Sequence, residues 1–151
     1  MTDSFATIAP FATIAPGDRI DGPDFAVSRE SIRLFCDGSL DYNPLHLDDD
    51  YMKGSFGRTQ FDGVIMHGMN NFGLMTRMLT DWAYALGATH RRLETRWLKP
   101  VYPGDTIRPE GIVKGKTTSA KAGWVVVDVT VRNQRGETVA TGEAQVEFPS
   151  P

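Results

Sequence analysis

"HGMNNFGLMTRMLTDWAYAL", residues 67–86, is the longest helical pattern in the chain. Phe72, Met75, Leu79, Trp82 and Leu86 form one apolar stripe, and Met69, Leu74 and Met78 widen it. A helix that is apolar around more than half its girth has to be buried on most sides. The residues after Gly87 can do that burying. There the period changes, and 91–101, 106–118, 123–133 and 137–148 read as four strands. The third is the clearest, with Val125, Val127, Val129 and Val131 alternating against Val126, Asp128 and Thr130. "YPGD" (102–105) and "NQRGE" (133–137) carry turn chemistry. The economical packing is an α+β arrangement, an antiparallel sheet wrapped around one long central helix. Such a sheet leaves free edges, and pairing them across a two-fold axis removes that liability, so a homodimer or higher oligomer is expected.

Upstream of the helix the pattern is shorter. "DFAVS" (24–28) reads as a strand or lead-in. Ser28 is an N-cap candidate for a helix from Arg29 to about Asp37, with Ile32, Phe35 and Cys36 on one face and Gly38 as its stop. "KGSFGRTQFDG" (53–63) has three glycines and no period, so it reads as irregular. "FATIAP" occurs twice in tandem, at 5–10 and 11–16. Six residues are too few for an architectural repeat. Residues 1–10 are therefore expected to be a loose extension, and 11–151 a single domain.

Composition bounds the function. The chain has 151 residues and a formal net charge of −3, so nothing in its charge points to nucleic acid or to an anionic membrane. One cysteine, Cys36, excludes an internal disulfide framework and a cysteine-based metal cluster, and its apolar setting makes it a core residue. No apolar run approaches the ~18 residues of a membrane span. No basic stretch precedes an apolar one near residue 1, so no signal peptide is expected, and the cytoplasm is the default location.

Chemistry concentrates in "DYNPLHLDDD", residues 41–50. Asp41 and His46 flank an Asn-Pro turn. Pro44 fixes its own φ and pushes Asn43 toward an extended conformation, which stiffens the path from acid to imidazole. Asn43 can bond the turn backbone. Alone, this reads equally as an Asx-type turn with a surface histidine, or as a carboxylate and imidazole sharing acid–base work on a water molecule. Asp48, Asp49 and Asp50 suit a solvated helix start rather than a metal site. A second feature shifts the balance. His67-Gly68 opens the buried helix, where backbone N–H groups are unpaired and the dipole is positive. A glycine there lets an oxygen with developing negative charge approach the backbone.

"DYNPLHLD", then "HGM" about twenty residues on, then "LKPVYPGDTI" together resemble the MaoC-like or R-specific enoyl-CoA hydratase family of hot-dog proteins. The family signature, acid-x-Asn-Pro-x-His, falls on Asp41, Asn43, Pro44 and His46. Where a glycine commonly precedes the catalytic acid, this chain has Leu40. The resemblance implies a hot-dog fold, a homodimer, and reversible syn addition of water to a trans-2-enoyl thioester of coenzyme A or an acyl carrier. The product would be an R-3-hydroxyacyl thioester, with no metal or other cofactor. Asp41 and His46 would be catalytic, Asn43 would orient the loop or the water, and Gly68 N–H would hold the thioester oxygen. His67, Thr76, Met75 and Leu79 would bind substrate, with Arg91, Arg92 and Lys99 reaching the phosphates of coenzyme A. His90 reads as a surface residue. Two alternatives stay open: a thioesterase on the same fold, and a MaoC-like subunit of a heteromeric dehydratase.

Overall fold

In the computed structural model, which describes residues 10–54 and 60–149, the chain opens with α1 (Pro10–Thr13), β1 (Arg19–Asp21) and β2 (Phe25–Ala26). Then come α2 (Arg29–Ser39), a 3-10 turn (Pro44–His46), α3 (Asp49–Met52) and α4 (Gly68–Ala85). Four long strands complete it: β3 (Thr89–Trp97), β4 (Thr106–Thr118), β5 (Ala122–Asn133) and β6 (Thr138–Pro149). The sheet runs β1-β4-β5-β6-β3, with β2 also on β4, and every pairing is antiparallel. This is the expected hot-dog arrangement, with α4 against the concave face. The first FATIAP copy lies, apart from Pro10, outside the described residues.

Alternation on β5 sets the inner face. Val125, Val127, Val129 and Val131 are buried, and Asp128 and Arg132 are exposed. They pack on Leu74, Met75, Met78 and Leu79 of α4. Burying a Leu or Met side chain contributes roughly 1.5–3 kcal/mol, so these four dominate the anchoring of α4. The buried face differs from the expected stripe at the helix start. Met69 is exposed, and Asn70 and Asn71 are buried instead. The two asparagines lie one turn before Leu74 and Met75, on the side that turns into the molecule.

"YPGD" has a structural role. Asp105 is buried and accepts hydrogen bonds from Tyr102 N–H, Gln134 Nε2 and Arg135 Nη1, each at 3.0 Å. Burial opposes ionisation of its carboxyl, but these three donors and the Arg135 charge hold it below the usual carboxylate range. The start of β4 is thereby tied to the β5–β6 turn.

α2 begins as the sequence predicts. Ser28 caps it, with a capping box formed by Ser28 and Ser31. Its end differs: the helix passes through Gly38 and stops at Ser39. One glycine in an exposed last turn costs only ~1 kcal/mol relative to alanine, too little to end a helix. Leu40 terminates it with φ 60° and ψ 21°, its N–H donating to Cys36 O at 2.7 Å. This left-handed backbone is the conformation a glycine adopts freely and costs a residue with a Cβ roughly 1–2 kcal/mol. Among the described residues Leu40 is the one non-glycine with positive φ. Its exposed side chain repays little of that strain. Leu40→Gly should therefore raise stability by about 1 kcal/mol after the entropy cost of glycine is counted. Urea unfolding measures it, and a lower midpoint for the variant would contradict the strain assigned to Leu40.

Candidate active site

The αL turn at Leu40 reverses the chain directly before Asp41. Asn43 then closes the next turn. Its Oδ1 accepts from Leu45 N–H at 3.1 Å, and its own N–H donates to Asp41 Oδ1 at 3.2 Å. One carboxylate oxygen of Asp41 is thus held by the loop, and Oδ2 faces two imidazoles. It lies 4.0 Å from His46 Nε2 and 3.9 Å from His67 Nε2. Pro44 occupies the first position of the 3-10 turn, where its missing N–H costs nothing.

His46 is fixed from behind. Its Nδ1–H donates to Ile65 O at 2.7 Å, while Ile65 N–H donates to Leu45 O at 3.1 Å. A carbonyl only accepts, so Nδ1 carries the proton and neutral His46 presents a bare Nε2 toward Asp41. Met66 N–H in turn donates to Val101 O at 2.8 Å, which pins the 64–66 segment to the chain after β3. Asp41, 53% exposed at its side chain, faces water, whereas His46 is almost wholly buried.

His46, Ile65, Gly68, Asn71, Trp97 and Val101 are among the residues lining one cavity of about 320 Å³. That size falls in the range of small-molecule sites. Gly68 is the first residue of α4, so helix geometry gives its N–H no intrahelical acceptor. The space beside it is filled: a Cβ on Gly68 would stand 1.5 Å from Trp97 Nε1. The glycine is needed for this close approach of the indole to the helix start.

The other expected binding residues are placed differently. His67 is 2% exposed and lies behind His46 rather than in the open cavity. Met75 and Leu79 are fully buried in the core between α4 and the sheet. Thr76 Oγ1 is buried and has no hydrogen-bond partner among the described residues. Arg91, Arg92 and Lys99 each pair with a glutamate: Glu147, Glu94 and Glu137. Lys99 also lines the cavity, and its hydrogen bond, with those of Asn133 and Arg135, holds the Glu137 carboxyl down to about 2. Sequence reasoning missed Trp97 and Asn71. Asn71 had a signal, a polar residue inside an apolar pattern; Trp97 had none that separated it from an ordinary strand residue.

Asp41, His46 and His67 offer three ligand atoms within 4.8 Å of one another. The two rings are stacked at 3.6 Å with 23° between their planes. Rings stacked in this way turn their in-plane lone pairs toward one shared ion poorly. A carboxylate and an imidazole at this separation can both take part in proton transfer.

The chain resembles known proteins over most of its length. The family model described as "MaoC like domain" matches residues 10–149. The chain is 30% identical over 124 residues to the (R)-specific enoyl-CoA hydratase of Rhodospirillum rubrum, covering 82% of this chain and 81% of that protein. Among solved structures, R-hydratase PhaJ1 from Pseudomonas aeruginosa superposes with a TM-score of 0.78 at 28% identity, covering 95% of this chain and 87% of the other. A monoamine oxidase regulatory protein from Archaeoglobus superposes with a TM-score of 0.81 at 28% identity, covering 93% and 94%.

The Gly68–Trp97 contact gives a direct test. Gly68→Ala should expel the indole, shift tryptophan emission to the red and cost about 1–3 kcal/mol, the usual scale of overpacking. An unchanged emission spectrum would mean that the indole does not rest on the helix start.

Proposed function

Since the chain belongs to the MaoC-like domain family, we propose that it is an R-specific hydratase/dehydratase acting on enoyl thioesters of coenzyme A or an acyl carrier. The observation that carries this reading is the pair formed by Asp41 Oδ2 and the bare Nε2 of His46, 4.0 Å apart, with His46 lining a cavity that Gly68, at a helix N-terminus, also lines.

A water molecule between these two atoms loses a proton to one of them as its oxygen bonds to C3 of the enoyl group. The C2–C3 π electrons move toward the thioester, whose oxygen gains negative charge. C2 then takes a proton from the pair, which returns both groups to their starting state, and the reverse sequence is dehydration. The Gly68 N–H, at the positive end of the α4 dipole, stabilises that oxygen; one such donor typically supplies about 3–4 kcal/mol. Asn43 keeps Asp41 turned inward. Lys99, at the cavity rim, can exchange Glu137 for a phosphate of the carrier. No metal or redox group enters the reaction.

The thioesterase reading lacks its carboxylate. Asp81 is the acid on α4, but it is exposed, paired with Arg77 at 3.6 Å, and about 20 Å along the helix from Gly68. The outer edge of β3 has no strand partner among the described residues. We infer a cytoplasmic homodimer that covers this edge.

The test uses purified chain and trans-2-butenoyl-CoA, following loss of the conjugated thioester absorbance. The wild type should sediment as a dimer and hydrate the substrate, and Asp41→Asn and His46→Ala should each lower turnover at least about a hundredfold while remaining folded. A variant at near-wild-type rate removes that residue from the reacting pair, and a folded monomer as the smallest species contradicts the dimer.

A further inference from the structure

His67 touches both members of the pair without reaching the cavity. Its Nε2 lies 3.1 Å from Asp41 O, and its ring stacks on His46 at 3.6 Å. Phe35 packs on it at 4.7 Å between ring centroids, and Cys36 Sγ lies 3.6 Å from Nε2. Resting on the hydratase reading, we propose that His67 is a positioning residue, an imidazole whose Nε2–H holds the Asp41 backbone while its ring face sets the plane of His46.

The tautomer follows from the partners. Asp41 O can only accept, so Nε2 must carry the proton. The opposite tautomer would set a lone pair against that carbonyl and leave an orphaned buried N–H at Nδ1. Nδ1 is buried and has no hydrogen-bond partner among the described residues. A bare nitrogen there costs less than an N–H without an acceptor. The doubly protonated ring is worse still. It would place a proton at Nδ1 with nothing to receive it, and a cation face to face with His46.

The groups facing the ring do not reverse this. From α2 come Phe35 and Cys36, the latter a thiol whose ionisation burial and then the Asp41 and Asp37 charges oppose. From the loop come Asp41, its Oδ2 3.9 Å away, and the stacked His46. Burial lowers the His67 pKa, and His46 adds to that. The carbonyl hydrogen bond and the Asp41 carboxylate push the other way and are outweighed. The ring is therefore a fixed spacer, while His46 is left to carry protons.

This accounts for a histidine at the N-cap of α4 that makes no capping bond. Its side chain is directed away from the helix and toward the 41–46 loop. One residue thereby sets the distance between the loop and the helix start, and so between the water site and Gly68.

Two variants separate the parts of this role. His67→Phe keeps the ring stack and loses the donor; His67→Gln keeps an N–H within reach of Asp41 O and loses the stacked ring. With folding checked by circular dichroism, kcat should fall about a hundredfold in His67→Phe and no more than tenfold in His67→Gln, with KM within threefold in both. The wild-type ring is read separately by 15N NMR, which should show the Nε2–H tautomer and no titration between pH 5 and 8. A His67→Phe rate within threefold of wild type overturns the proposal, as does a His67→Gln that falls as far as His67→Phe. So does a His67 ring that titrates in that window or carries its proton on Nδ1. If the wild type hydrates no enoyl thioester, the hydratase reading fails, and the NMR result still decides whether His67 is the fixed neutral spacer.

Discussion

Burial of α4 is the constraint on which the other features depend. Leu74, Met75, Met78 and Leu79 can leave water only if the sheet curls around them. The inner face of β5, built of alternating valines, supplies the matching surface. With one face of the helix buried on the sheet, the N–H of Gly68 at its start has no intrahelical acceptor. The loop after α2 closes over that end of the helix. Two hydrogen bonds with Ile65 hold it there, Nδ1–H of His46 to the carbonyl and Ile65 N–H to Leu45 O. The same packing that buries the helix brings its positive end and the His46 imidazole to one cavity.

The local chain solves a conformational problem at the same place. To bring Asp41 back toward the helix start, the backbone must reverse within one residue of the end of α2. Leu40 does this in the left-handed region at a cost in strain. Asn43 and Pro44 then hold the next turn with a side-chain acceptor and a fixed φ. The result is a short, stiff link between an exposed acid and a buried base. Stiffness matters because a proton-transfer pair loses its function when either atom wanders by about 1 Å.

Patterned features were legible in the sequence. The 3.6 period of 67–86 and the alternation of 123–133 mark α4 and β5 because burial acts on every second or every third-to-fourth residue. Asp41, Asn43, Pro44 and His46 stood out as a compact polar cluster around a turn. The structure brings Asp41 and His46 within 4.0 Å of each other, and Gly68 lines the same cavity as His46. Features that depend on two distant segments meeting were not legible. Nothing in "HGM" says that His67 lies behind His46, and nothing in "RWLKP" says that the indole of Trp97 rests on Gly68. Asn70 and Asn71 were passed over because a count of apolar residues ignores polar ones that turn inward. Gly38 misled because a glycine in the last turn of an exposed helix costs too little to end it.

The stereochemistry of the product tests the account most directly. In the proposed reaction, a dyad and a Gly68 N–H held on one frame would deliver water to one face of C3. Trans-2-butenoyl-CoA incubated with the chain, followed by chiral separation of the 3-hydroxybutyryl product, reads that face. Likeness to the (R)-specific enoyl-CoA hydratase of Rhodospirillum rubrum makes the R product alone the expected result. A racemic or S product would contradict it, because the water would then not be held by this pair.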